Sequence, residues 1–128
     1  MNNGLFIAGR ILMGAVFAYM GFYKIINWGA TTAWMDMKGL PFISFLLVIA
    51  IVIELGGGIL LILGYKTKII ATIIALFLIP TTFIFHNFWA LPPEMKASEF
   101  LSFLQNITII GGLLVVSTGL VNKEVSRG

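Results

Sequence analysis

The stretch PFISFLLVIAIVIELGGGILLILG, residues 41–64, is almost wholly apolar and carries one charged group, the carboxylate of Glu54. An α-helix rises about 1.5 Å per residue, so a stretch of this length can cross a hydrocarbon core of about 30 Å. The stretch therefore predicts a membrane span with an acid near its middle. An unpaired charge at that depth costs at least about 2.5 kcal/mol, so another segment must supply Glu54 with a cation or with hydrogen-bond donors.

The composition of the whole chain is typical of a membrane protein. Of its 128 residues, 59% are hydrophobic and 10% are charged, against about 25% charged in an ordinary soluble domain. The net charge of +3 contains no basic run, which gives no reason to expect nucleic-acid binding. The chain has no cysteine and one histidine, His86, so a bis-histidine haem or a self-contained metal site is not expected. We therefore expect no cofactor bound by this chain alone, and any redox centre must come from outside it.

Three further apolar stretches complete an all-α architecture. The predicted spans of the single membrane domain, residues 1–128, are about 4–26, 41–64, 69–90 and 100–121. The connection between the first two spans contains Trp28 and Trp34 and predicts a short interfacial helix, because amphipathic rings favour the membrane surface. Since the other connections are short, the spans are expected to form an antiparallel four-helix bundle.

The connections carry unequal numbers of cations. Lys66, Lys68, Lys123 and Arg127 lie on the side of the termini, and Lys38 and Lys96 lie on the other side. Cytoplasmic connections of membrane proteins carry an excess of lysine and arginine. The sequence therefore predicts a multi-pass protein of the cell's inner (cytoplasmic) membrane, with both termini in the cytoplasm.

Arg10 is the predicted partner of Glu54. Counting the helical rise from the predicted inner boundaries places Arg10 about 9 Å deep and Glu54 about 15 Å deep. An arginine side chain can span this offset, and its guanidinium can hold a carboxylate through two parallel hydrogen bonds. The sequence predicts a buried Arg10–Glu54 ion pair, which serves either to set helix register or as a proton or ligand site in a cavity.

A second group of polar residues is expected toward the outer leaflet. Its members, all candidates for ligand binding, are Lys24, His86, Gln105, Asn106 and Trp89. If Arg10 neutralises Glu54, Lys24 either extends outward to the interface or faces a cavity that accepts an electron-rich or anionic group. His86 and Trp89 have equally simple structural alternatives, as a hydrogen bond between helices and as an interfacial ring.

Several motifs, taken in order, resemble the DoxX family of small four-helix membrane proteins. They are RILMGAVFAYMGFYKI from Arg10, GLP from Gly39, ELGGGILLILGYKTK from Glu54, HNFW from His86 and QNITIIGGLL from Gln105. The resemblance covers nearly the whole chain. It implies an association with membrane redox systems, because the family takes its name from a subunit of a terminal quinol oxidase and thiosulfate-to-quinone complex.

Three functions remain open at this point. The first is a non-catalytic subunit or anchor of a membrane-associated, quinone-linked oxidoreductase, which implies a redox-enzyme partner. The second is a redox component that binds a quinone or another lipid-soluble small molecule in the outer half of the bundle. The third is a small-solute carrier, which four helices can hardly enclose without oligomerising. A homodimer is compatible with all three functions, and whether the chain is an enzyme is undecided.

Overall fold

The computed structural model describes residues 3–119 and is all-helical over that range. Its helices are α1 (Asn3–Ile26), α2 (Trp28–Met37), α3 (Ile43–Leu63), α4 (Thr67–Phe85) and α5 (Pro93–Ser117). All except α2 belong to four segments that are long and apolar enough to cross a membrane. The predicted architecture, four spanning helices with a short helix between the first two, is confirmed.

The fourth span begins earlier than predicted. Helix α5 starts at Pro93, so most of the connection between the third and fourth predicted spans, residues 91–99, is helical. Proline suits this place, because the first turn of a helix has no use for its missing N–H group. The predicted end of this span at residue 121 lies outside the described residues, as do Lys123 and Arg127, and the orientation in the membrane stays a prediction.

Helices α1 and α3 run antiparallel and approach each other most closely at glycines. A Cβ on Gly14 would lie 2.6 Å from the carbonyl oxygen of Gly58, and one on Gly21 would lie 2.5 Å from the backbone nitrogen of Leu55. These distances are too short for a carbon atom, so the two backbones fit together only because both positions lack a side chain. Contacts of this kind drive helix association in lipid, where the hydrophobic effect contributes little.

The apolar core lies where the four long helices meet. Phe17 of α1, Leu61 of α3, Ile74 of α4 and Leu113 of α5 are buried together. The outer faces of the same helices are also apolar, with large exposed side chains along their length. A surface as hydrophobic as the core is what helices surrounded by acyl chains require.

Glu54 lies within an irregular turn of α3. Residues Val52–Gly56 form a π-helical turn, with ordinary α-helix before and after it. Such turns insert an extra residue into a helix and are frequent at functional sites. The carboxylate at the centre of the turn is 2% exposed, so the acid points into the bundle and not into lipid.

The close contact at Gly14 can be tested by substitution, and Gly9 on the same helix provides a control. Gly14→Ala should destabilise the protein by about 1–3 kcal/mol, because the added methyl pushes α1 away from α3. Gly9→Ala, on the same helix with open space around its would-be Cβ, should be neutral or stabilising by up to about 1 kcal/mol. Unfolding of the two variants and the parent in mixed detergent micelles measures the difference. Equal effects of the two substitutions would contradict the close packing.

Candidate functional site

The partner of Glu54 is Lys24. The Nζ atom of Lys24 donates a hydrogen bond to Oε2 of Glu54 at 2.7 Å, and the two side chains are 23% and 2% exposed. The predicted ion pair between Arg10 and Glu54 is therefore wrong. The acid does receive a cation from the first span, as the cost of an unpaired charge requires, but from the other end of that helix.

The register of α1 against α3 explains the exchange of partners. Because Gly21 faces Leu55, the next turn of α1 brings Lys24 to Glu54. Arg10 lies one turn before Gly14, the other close contact, and is therefore beside the C-terminal end of α3 and not beside Glu54. There its Nη2 donates to the carbonyl oxygen of Ile62 at 3.5 Å. Depths counted from predicted helix ends cannot resolve this register, which depends on where the two backbones touch.

A cavity of about 520 Å³ lies beside the Lys24–Glu54 pair and is partly open to the outside of the bundle. All five helices contribute to its wall, which is mostly apolar. The polar residues that line it are Lys24, Thr31, Glu54, Thr81, His86 and Asn106. Three of the predicted ligand-binding candidates, Lys24, His86 and Asn106, thus share one cavity with the buried acid.

Neighbouring residues hold two of these polar groups in place. The Nδ1 atom of His86 lies 3.0 Å from Oε2 of Glu99 on α5, which leaves Nε2 for a ligand. The side-chain amide of Asn106 donates to the hydroxyl of Thr82 at 3.2 Å, and that hydroxyl donates to the carbonyl of Leu78 at 2.7 Å. The amide oxygen of Asn106 is therefore left as an acceptor, and the imidazole of His86 presents a nitrogen whose role depends on its protonation.

Two of the predicted candidates lie elsewhere. Gln105 is exposed and does not line the cavity, because consecutive residues of a helix point about 100° apart. Trp89 is 51% exposed, and its ring packs edge-on against Phe88 and Phe103 at 5.2 and 6.2 Å between centroids. A helical projection separates Gln105 from Asn106, but only the tertiary structure shows which of the two faces the cavity.

Trp34 and Thr81 also line the cavity, although neither is among the ligand-binding candidates predicted from the sequence. The ring centroid of Trp34, which has the sequence character of a membrane-interface residue, lies 4.8 Å from that of Phe85. Thr81 follows Pro80 within α4, and its hydroxyl donates to the carbonyl oxygen of Phe77 at 2.7 Å. The signal for Thr81 was a polar residue beside a proline within a span, where backbone groups are freed from helical bonding.

Comparison with known proteins connects this arrangement to bacterial membrane proteins. A family model described as DoxX matches residues 5–87, which include Lys24, Glu54 and His86. Inner membrane protein YqjF of Escherichia coli K12 is 34% identical over 111 residues, which are 87% of this chain and 80% of that protein. Inner membrane protein YphA of the same organism is 26% identical over 113 residues, 88% of this chain and 81% of that protein.

A eukaryotic protein is also similar over most of the chain. The Surfeit locus protein 4 homolog of Schizosaccharomyces pombe is 28% identical over 116 residues, which are 88% of this chain and 33% of that protein. No solved structure matches.

The choice of Lys24 over Arg10 can be tested with two double-mutant cycles. Lys24→Met should cost about 3–5 kcal/mol by leaving a buried carboxylate unpaired, and much of this should return in combination with Glu54→Gln. Arg10→Met and Glu54→Gln should add to within about 0.5 kcal/mol, because the two residues share no contact. The free energies come from unfolding in mixed micelles. A coupling larger for Arg10 than for Lys24 would show that the pairing described here is incorrect.

Proposed function

Because this chain belongs to the DoxX family, whose relatives are integral membrane proteins, we propose that it binds a lipid-soluble small molecule with a polar head, of the quinone class, within the bilayer. The observation that carries the proposal is the cavity beside the Lys24–Glu54 pair, with His86 and Asn106 on the same wall.

The size and lining of the cavity suit a small organic molecule. Ligand sites usually measure about 300–1,000 Å³ and combine apolar walls with a few polar groups that fix orientation. A volume of about 520 Å³ lies within that range, and the polar groups present are few. An aromatic head group would find Trp34 and Phe85 on the wall for stacking.

The polar groups match both forms of a quinone-like head. The carbonyl oxygens of a quinone accept hydrogen bonds, and the ammonium of Lys24 retains two further donors beyond the one given to Glu54. The hydroxyl groups of a quinol donate, and the carboxylate of Glu54 and the amide oxygen of Asn106 accept. One site therefore offers hydrogen-bond partners to either form, donors to the quinone and acceptors to the quinol.

A contribution to folding stability is a poor explanation for the buried ion pair of Lys24 and Glu54. The desolvation of two buried charges offsets most of their attraction, so such pairs add little net stability compared with well-packed apolar residues. Here the lysine is incompletely buried and lines an open cavity. A pair placed at the wall of a cavity is available to a ligand, which favours a binding role over one confined to helix register.

The wider roles expected from the sequence stay predictions. A subunit that docks a membrane oxidoreductase is compatible with the proposed site, since quinones are exchanged between membrane enzymes through the bilayer. Co-isolation of a redox enzyme with the native protein tests that role. A homodimer is compatible with the same site, whereas the small-solute carrier gains no support from the arrangement of the described residues.

Titration of a benzoquinone with a decyl tail into the detergent-solubilised protein tests the binding site. With Trp28 and Trp89 replaced by phenylalanine, fluorescence reports on Trp34 alone, and saturable quenching is expected. In that background, Asn106→Ala should weaken binding by about two- to tenfold, the value of one hydrogen bond. Gln105→Ala removes the adjacent amide outside the cavity and should leave the affinity unchanged.

Quenching that rises linearly with quinone, and equally in all variants, would mean that the quinone only partitions into the micelle. That result would rule out the proposed site. Circular dichroism of each variant checks that the fold is retained.

A further inference from the structure

We propose that Arg10, together with the apolar hollow beside it, binds the head group of an anionic phospholipid at the end of the bundle where α3 turns into α4. This site is separate from the cavity of Lys24 and Glu54, and it does not depend on the function proposed above. Four features of the structure carry the inference: an unsatisfied guanidinium, its depth, an adjacent hollow and the charge around it.

The guanidinium of Arg10 is poorly satisfied by its own chain. It carries five N–H donors, and its one hydrogen bond within residues 3–119 is the contact from Nη2 to the oxygen of Ile62 at 3.5 Å, the weak limit for such a bond. Its Nε is buried without a partner in the same range. The ion pairs of these residues involve other cations, so no described carboxylate neutralises Arg10.

The turn after α3 is shaped around this side chain. Gly64 ends the helix in the left-handed region, with φ of 76°, and the N–H of Tyr65 donates back to the oxygen of Leu60 at 3.0 Å. A Cβ on Gly64 would collide with the guanidinium of Arg10. Arg10 therefore lies at the level of the last turn of the span, where lipid head groups begin, and not at mid-membrane.

An apolar hollow of about 260 Å³ opens beside Arg10, between α1 and the end of α5. Its lining residues are Leu5, Phe6, Gly9, Arg10, Met13 and Val116. A hollow with one cation at its edge and hydrocarbon elsewhere suits an anion that carries an attached apolar chain. A phospholipid has both parts, whereas free phosphate would leave the hollow unfilled.

The surrounding charge is positive. Lys66 lies in the same turn as Gly64 and Lys68 lies in the first turn of α4, and both are exposed. The side chain of Lys68 reaches toward the end of α5, where its Cδ would lie 3.6 Å from a Cβ on Gly119. Clusters of basic residues next to a membrane span attract anionic lipids, and a guanidinium can hold a phosphate through two parallel hydrogen bonds.

Native mass spectrometry of the full-length protein in detergent, with phosphatidylglycerol added, tests the proposal. The parent should retain one phosphatidylglycerol, and Arg10→Gln should bind it about tenfold more weakly through the loss of charge-assisted hydrogen bonds. Gly9→Leu should also weaken binding, because it fills the hollow and leaves the charge in place. Lys96→Gln, which removes a cation on the other side of the bundle, should bind as the parent does.

Three results would overturn the proposal. Equal retention of phosphatidylglycerol by the parent and Arg10→Gln would remove Arg10 from the site. Equal binding of phosphatidylcholine and phosphatidylglycerol would remove the preference for anionic lipid, and tight binding of inorganic phosphate that is unaffected by Gly9→Leu would replace the lipid with a free anion.

Thermal unfolding without added lipid separates binding from folding. Because Arg10 makes one long hydrogen bond within residues 3–119, Arg10→Gln should keep the melting temperature of the lipid-free parent, and phosphatidylglycerol should raise that of the parent alone. A lower melting temperature for Arg10→Gln in lipid-free detergent, equalled by Glu124→Gln in the C-terminal tail, would assign the arginine to an intramolecular pair and overturn the proposal.

Discussion

The contact between the backbones of α1 and α3 determines the rest of the structure. Gly14 meets Gly58 and Gly21 meets Leu55 at distances that leave no room for a side chain on Gly14 or Gly21. In lipid, helices associate through close packing and polar contacts, since acyl chains solvate apolar side chains as well as a protein core does. Once these glycines touch, the register of every other residue on the two helices follows.

That register assigns different surroundings to the two cations of the first span. Lys24 meets Glu54 and forms a hydrogen-bonded ion pair at the wall of a cavity. Arg10 meets the carbonyl end of α3 and finds no carboxylate among residues 3–119. The same packing thus neutralises one cation within the protein and leaves the other without a carboxylate among the described residues, where the anionic lipid is proposed. The two sites proposed above are consequences of this one arrangement.

The cavity lies beside the ion pair, and α2 contributes Thr31, Trp34 and Met35 to its wall. Glu54 lies in the π-helical turn, and its side chain is buried. The amide of Asn106 is held in place by its hydrogen bond to Thr82. Trp34 of the short helix supplies an aromatic wall beside Phe85. A polar group at each of several helix faces, with apolar surface between them, is the arrangement that the proposed ligand, with a polar head and a hydrocarbon tail, requires.

The sequence by itself determined the architecture, because long apolar stretches have few other stable arrangements and their lengths match a bilayer. It also indicates that Glu54 needs a partner from a neighbouring helix and that Lys24, His86 and Asn106 belong together, since all three are expected toward the same side of the membrane. Which cation pairs with Glu54 was decided only by the tertiary structure. Arg10 and Lys24 lie about four turns apart on one helix, and no hydropathy pattern shows which of the two meets Glu54.

The same reason explains the other errors. Gln105 and Asn106 are adjacent residues with the same side-chain amide group and nearly the same depth. Only the packing of α5 on α4 places Asn106 in the cavity and Gln105 outside it. Trp34 has the sequence character of an interfacial residue, and it becomes part of the cavity because α2 folds back against Phe85. Hydrophobicity sets which segments enter the membrane, whereas steric fit between particular residues sets which side chains meet within it.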